Sequence, residues 1–290
     1  MTRYAVAPYV VAITLALAAN SVYAGEPADS TDQDQSRLRH TFGGSAAYYN
    51  HHFTDAVVSP VVYGGAGLFV DFYYRGLNDV HLFYVVAGVG GFDVDLRDGA
   101  TGDEFTILNR RGEPYSFLRS LHQLRGVRML LAAEYLHRIR AHRNGRTGLH
   151  FGGRIDLDSE RYDGTDRWSD DIEVDAERSW RSDVSIGASG ALDSHFRHHD
   201  RLALGMNLTL LSYVSRPPYF HPFDAPNDDS KWMLPTDFLR WTVSVSYEFW
   251  ITEKFGLTTY YQFQYQRVTE PRALRSVTNV ISFGWVIGRD

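Results

Sequence analysis

Two pairs of side chains in the sequence have the chemistry to activate a water molecule. Asp93 and Asp95 stand two residues apart, and so do Asp193 and His195. A carboxylate or an imidazole within hydrogen-bond reach of a water can act as its general base, so a hydrolase is one hypothesis. The run HHD at 198–200 has ligand types that suit a divalent metal, but neighbouring side chains of a strand point to opposite faces. We therefore predict no metal site and no cofactor.

The elements that must position these residues have side chains that alternate between apolar and polar. In residues 148–158, GLHFGGRIDLD, one face is apolar and the other carries ions. In residues 238–251, FLRWTVSVSYEFWI, the apolar face has aromatic rings toward its ends and valines in its middle. A period of two predicts β-strands. About 9–11 residues of a tilted strand cross the hydrocarbon of a membrane, so these segments are long enough to span one.

Similar segments recur from residue 40 to residue 288. We predict an all-β, antiparallel transmembrane β-barrel of about ten strands, with eight or twelve strands as alternatives. If both termini lie at one end, the connections at that end are all short, whereas those near 96–124, 159–178 and 215–237 at the other end are long. The general pattern over 40–288 thus resembles the bacterial outer-membrane β-barrel class, which has short periplasmic turns and long extracellular loops. No specific motif carries this resemblance.

The first 24 residues contain Arg3, then an apolar run and the small-residue sequence SVYA, which is the layout of a secretory signal peptide. We predict that residues 1–24 are removed, that 25–39 form a flexible periplasmic lead-in, and that 40–290 form the barrel. The absence of cysteine means that no disulfide stabilises the exported chain. With 29 basic and 35 acidic residues, the charge balance argues against a nucleic-acid-binding protein.

Strand alternation cannot by itself say which face of the wall meets water. In a soluble barrel the ions face outward, and in a membrane barrel they face the lumen. The resemblance implies a cell outer-membrane location, outer-membrane lipid as the partner of the apolar face, and a monomer. A soluble periplasmic ligand-binding β-barrel is the alternative.

In the membrane interpretation, acids, arginines and one histidine face the lumen and pair across it. Buried charges persist when they are paired and hydrogen-bonded, so these residues predict an ionic plug. The predicted network consists of Asp71, Asp93, Asp95, Arg128, Glu134, His150, Arg154, Asp156, Arg181, Asp183, Arg240 and Glu248.

Two of the long connections carry further predictions. Residues 116–123 are interpreted as a short helix within a loop, because leucine and arginine favour helices, and 125–140 as a strand. The proline-rich connection 215–237 contains Tyr219, Phe220, Phe223 and Trp232, which are candidates for binding an unidentified extracellular ligand or surface partner.

The leading functional hypothesis is a barrel without catalytic activity, with a charge-plugged lumen, that presents its extracellular loops for a structural or binding role. A narrow passive channel is a second hypothesis, and an embedded hydrolase of lipid or peptide is a third. Asp93 and Asp95 together with Asp193 and His195 superficially resemble the catalytic pairs of omptin proteases. The predicted topology places the two pairs at opposite ends of the barrel, so we expect that they cannot share a water molecule.

Overall fold

A computed structural model describes the chain from residue 39 to residue 289, apart from 56–58, 79, 97–102, 109–113, 142–146, 170–171, 196–199, 217–228 and 271–272. Within the strands, the side chains at 55, 59–63, 94–96, 103–108, 114–124, 163–169, 172–180, 229 and 289 also lie outside the description. The predicted signal peptide and the lead-in up to residue 38 fall outside it as well.

Twelve strands are present in the described residues, and ten of them close into one antiparallel barrel. Their bounds are β1 Arg39–Asp55, β2 Ser59–Leu77, β3 His81–Leu96, β4 Asp103–Leu108, β5 Pro114–Ala141, β6 Thr147–Ser169, β7 Ile172–His195, β8 Arg201–Arg216, β9 Asp229–Met233, β10 Phe238–Trp250, β11 Phe255–Val268 and β12 Leu274–Arg289.

The barrel closes because its first and last strands pair along their whole length. His40 lies opposite Arg289 and Asp55 lies opposite Leu274, so β1 and β12 share a complete ladder. The two remaining strands lie outside the ring, since β4 pairs with β5 and β9 pairs with the last residues of β8. The prediction of a ten-stranded antiparallel barrel is therefore confirmed. Closure gives each of the ten strands of the wall a partner on both sides, as a sheet in lipid requires.

The shortest ladder of the wall joins β8 to β10. It runs from the pair Leu208 and Trp241 to the pair Arg201 and Glu248. Beyond this ladder, β8 pairs with β9 instead of β10, starting with Ser212 opposite Met233. We call this part of the wall the β8–β10 seam.

The faces of the wall are inverted relative to a water-soluble protein. Leu68 and Phe283 point outward and are 71% and 69% exposed, whereas Asp158 and Arg216 point inward and are 0% and 1% exposed. A soluble monomer rarely exposes contiguous apolar surface of this extent. The apolar faces of strands such as β6 and β10 therefore lie outside, and the ions lie in the lumen, as the membrane interpretation requires.

All three predicted long connections contain strand structure: β4 and the start of β5 lie within 96–124, the end of β6 and the start of β7 within 159–178, and β9 within 215–237. The segment predicted as a helix at 116–123 belongs to β5, which is extended from Pro114 to Ala141, so that prediction was wrong. The segment is extended, as its period-two alternation predicts, and not helical, as its composition favours, because β5 pairs with β3, β4 and β6 along its length. In the region 159–178, β6 continues to Ser169 and β7 already begins at Ile172, so these strands rise beyond the apolar band.

One glycine lets two strands approach closely. A Cβ added at Gly152 on β6 would lie 2.0 Å from the carbonyl oxygen of Tyr135 and 2.9 Å from the Cα of Leu136, both backbone atoms of β5. Only a residue without a side chain fits this approach. By contrast, a Cβ at Gly190 would meet nothing nearer than 3.7 Å.

Among the described residues, no helix is long and apolar enough to cross a membrane.

Candidate functional site: two ionic layers in the lumen

The lumen holds a cluster of buried ions at mid-height, where strand alternation points six charged side chains inward. Their side chains are 0–6% exposed, and their formal charges cancel. We call this cluster the upper layer, and it consists of Arg128 on β5, Asp158 and Glu160 on β6, Arg181 and Asp183 on β7, and Arg240 on β10.

Asp158 is the centre of the upper layer. Arg128 donates to both of its carboxylate oxygens, from Nε at 2.9 Å and from Nη2 at 2.8 Å. Arg181 and Arg240 donate to the same carboxylate at 3.2 Å and 3.1 Å. Charge-assisted and bidentate bonds of this kind are the strong ones in proteins. One carboxylate on β6 therefore connects three other strands, β5, β7 and β10.

Contacts of the upper layer extend across the lumen as well as between neighbouring strands of the wall. Arg128 donates to the hydroxyl of Tyr49 on β1 at 3.2 Å and to the amide oxygen of Gln264 on β11 at 3.3 Å. Arg240 also contacts Asp183, with Nη2 2.9 Å from Oδ2. Because β5 and β11 stand on opposite sides of the ring, these contacts bridge the passage.

A second group of ions, the lower layer, lies nearer the end where the termini meet. It consists of Arg75 on β2, Asp193 on β7, Arg201 on β8 and Glu248 on β10. Arg75 forms a bidentate pair with Glu248, in which Nη2 lies 2.9 Å from Oε2. Arg201 binds Asp193 through Nε at 2.7 Å and reaches Glu248 at 3.4 Å. The pair between β2 and β10 spans the lumen.

A cavity of about 170 Å³ separates the two layers. Arg128 and Arg154 border it on one side, and Arg75, Arg201 and Glu248 border it on the other. Its walls combine apolar side chains with tyrosine hydroxyls and serines. A space of this size holds several water molecules.

Aromatic rings and a histidine pack above the cavity. His51 bonds to Thr278 Oγ1 at 2.8 Å through Nδ1 and lies 3.2 Å from the hydroxyl of Tyr162 through Nε2. The Tyr162 hydroxyl in turn donates to Glu160 at 3.1 Å. Tyr162 also belongs to a buried apolar cluster with Tyr49, so the upper layer is packed against rings on this side.

Several of the predicted network residues lie in the lumen outside the two layers. Arg154 and Asp156 pair with each other at 2.7 Å. Glu134 accepts from Ser189 and Asp71 accepts from Ser45, the latter at 2.9 Å. His150 also points inward and is buried near the lower layer.

Asp93 does not lie in the network. It is exposed on the outer face, where it pairs loosely with the equally exposed Arg125 at 3.7 Å. On β3 the apolar side chains of Leu82, Val86 and Phe92 are buried, and Asp93 has the opposite parity, so it lies on the outer face. The side chain of Asp95 falls outside the described residues.

Sequence reasoning missed five members of the two layers. Asp158 ended the predicted strand segment but was left out of the predicted network, and Glu160 was assigned to the connection 159–178, although both continue the inward alternation of Arg154 and Asp156 on β6. Arg75 shares its parity with Asp71 on β2. The same alternation would have revealed all three, whereas Asp193 and Arg201 were placed in or beside a turn.

The residues that the sequence suggested for catalysis or for binding do not lie together in one site. Asp93 lies at the long-connection end of β3, and Asp193 lies in the lower layer at the other end of the barrel. Trp232 on β9 is exposed and its ring lies 5.2 Å from that of Tyr213. Tyr219, Phe220 and Phe223 lie outside the described residues. Within the described part of the chain, no group of three or more acids and histidines is placed to hold a metal ion.

A comparison with protein-family models gave no match, and neither did a comparison with curated proteins. Solved outer-membrane barrels are similar in fold. The outer membrane protease OmpT from Escherichia coli is 6% identical with a TM-score of 0.47, and the match covers 90% of this chain and 99% of that chain. The translocator domain of the autotransporter NalP from Neisseria meningitidis is 9% identical with a TM-score of 0.45, and the match covers 99% of both chains.

At these identities and TM-scores, the likeness carries no argument about activity or substrate. The closed ring of ten antiparallel strands, the apolar outer face and the ionic lumen are features of the chain itself. They give the protein the architecture of a bacterial outer-membrane β-barrel.

Proposed function

We propose that the protein is a plugged barrel of the outer membrane, without catalytic activity, which presents its extended strands and connections at the long-connection end. The observation that carries this proposal is the upper layer. Three arginines and three acids from four strands meet in the lumen with almost no solvent exposure.

The physical reason is the energy needed to open such a cluster. Separating a buried ion pair leaves uncompensated charges in a region of low dielectric, and this costs about 3–5 kcal/mol for each broken pair. The Arg75 to Glu248 pair of the lower layer closes the passage a second time. A solute would therefore have to disrupt both layers to cross the barrel.

Single-channel recording in planar bilayers tests the plug. We expect no steady conductance from the unmodified protein. The charge-balanced variants R128A/D158A and R75A/E248A each leave one layer intact, so we expect both to stay closed. The four substitutions combined should produce steady conductance.

The outcome of these recordings separates the two barrel functions. Steady conductance of the unmodified protein would favour a narrow passive channel, with the cavity of about 170 Å³ as part of its path. A combined variant that folds, as judged by heat-modifiable migration on a gel, and still conducts nothing would contradict closure by the ionic layers.

Turnover assays test the absence of catalysis. Purified protein is incubated with phospholipid and with unstructured peptide, and we expect no hydrolysis of either. Hydrolysis that disappears in D93A or H150A would overturn the proposal and favour the embedded hydrolase.

A further inference from the structure

Two arginines face each other directly on the outer wall. Arg267 of β11 and Arg275 of β12 are cross-strand partners. Their neighbours Val268 and Leu274 are buried inside the barrel, so strand alternation turns both arginines outward. Side chains in such a pair start about 4.5–5.5 Å apart at their Cβ atoms, and like charges in this position destabilise a sheet.

Among the residues that the structure describes, neither guanidinium has a carboxylate partner. In the described part of the chain, Arg267 donates to the backbone oxygen of Thr236, at 3.3 Å, and Arg275 is exposed. The carboxylate of Glu270, three residues after Arg267 in the sequence, is paired with Lys231. The opposed positive charges therefore lack a counterion within this part of the chain.

The arginine pair stands at the edge of the apolar outer face. One step toward the middle of the wall, the outward residues are Tyr265 and Val277, which are also cross-strand partners. The ring of Tyr265 lies 6.1 Å from that of Trp241, which packs at 5.2 Å against Phe263. Aromatic rings at this height are typical of the membrane interface. A ligand held by the arginines would lie where lipid headgroups lie.

We propose that Arg267 and Arg275 form a binding site for the phosphate of a lipid headgroup in the outer leaflet. A guanidinium binds phosphate oxygens through two parallel N–H groups, and two guanidiniums side by side match the charge of a phosphate monoester. The phosphate removes the repulsion between the arginines, and the acyl chains lie against the aromatic and aliphatic side chains below.

Native mass spectrometry of the full-length protein in dodecylmaltoside micelles tests the site with lipid A as the probe. The test variant is R267Q/R275Q. The matched control is R140Q/K254Q, which removes two exposed charges at the opposite end of the barrel. Since each arginine contributes a charge-assisted interaction, we expect lipid A to bind at least about tenfold more weakly to the test variant and unchanged to the control.

A parallel titration with inorganic phosphate distinguishes a lipid site from a site for a soluble anion. We expect millimolar phosphate to leave lipid A bound. Displacement of lipid A by phosphate at equal concentration would overturn the lipid assignment, and equal lipid A binding by test variant and unmodified protein would overturn the site itself.

Thermal unfolding provides a readout that does not depend on retained lipid. In lipid-free micelles we expect R267Q/R275Q to unfold at the same or a higher temperature than the unmodified protein, because the like-charge contact is gone. Added lipid A should then stabilise only the unmodified protein and the control. A test variant that is less stable than the unmodified protein without lipid would show that the arginines serve the fold, and it would overturn the proposal.

Discussion

Replacing Asp158 with asparagine removes the central anion of the upper layer without changing the volume of the side chain. Arg128 loses a bidentate partner at 2.9 Å and 2.8 Å, while Arg181 and Arg240 each lose one contact. The layer then holds three cations and two anions. Breaking a buried pair costs about 3–5 kcal/mol. Glu160 still lies 3.2 Å from Arg181. We therefore expect D158N to lower the free energy of unfolding by about 3 kcal/mol, the lower end of this range.

Urea-induced unfolding in lipid vesicles, followed by tryptophan fluorescence and by heat-modifiable migration, measures this change. D93N is the matched control, because Asp93 also pairs with an arginine but both side chains are exposed. Exposed pairs are worth about 0–1 kcal/mol, so D93N should lower the free energy of unfolding by less than about 1 kcal/mol. Equal effects of D158N and D93N would refute the reasoning that burial makes the upper layer sensitive.

Three further changes test other parts of the barrel. In the lower layer, E248Q leaves Arg75 and Arg201 without their shared carboxylate. We expect it to lower the free energy of unfolding in urea by about 3 kcal/mol. The control E253Q changes an exposed turn residue and should have almost no effect. Cysteines replacing Gly205 and Ser244, which are partners across the β8–β10 seam, should form a disulfide visible as faster migration of the denatured chain. G152A should abolish the heat-modifiable folded form, since its Cβ would overlap backbone atoms of β5.

Controls and contrary outcomes are available for each of these changes. Failure of the cysteine pair to cross-link would contradict barrel closure at the seam, and the natural chain offers no competing thiol. G190A is the control for G152A because its Cβ meets nothing nearer than 3.7 Å. Folding of G152A as efficiently as G190A would disprove the close approach. An E248Q variant no less stable than E253Q would show that the lower layer is hydrated.

The strand pattern of the wall could be predicted because alternation is a local property. In β10, Val243 and Val245 face outward while Arg240 and Glu248 face inward, as the sequence predicts once the membrane interpretation is adopted. A two-residue period needs no knowledge of distant contacts. Residues 125–140 were correctly predicted as a strand on the same evidence.

Prediction from the sequence was poorest where both faces of a strand are apolar, and where a strand extends beyond its predicted end. On β3 the inward residues Leu82, Val86 and Phe92 are apolar, so the charge of Asp93 suggested the wrong parity. On β6 the predicted segment ended at Asp158, which is the centre of the upper layer, so Glu160 was assigned to a connection. Membrane thickness sets the length of the apolar band, but the strands continue above it wherever neighbouring strands offer partners.

The sequence by itself determined that the wall consists of strands with one apolar and one ionic face, and which residues belong to each face in most of them. Only the tertiary structure decided which charges meet. Arg128 and Asp158 are neighbours because of the register between β5 and β6, and Arg75 reaches Glu248 because the ring closes. Register and closure are set by all ten strands together, and no single segment of sequence contains them.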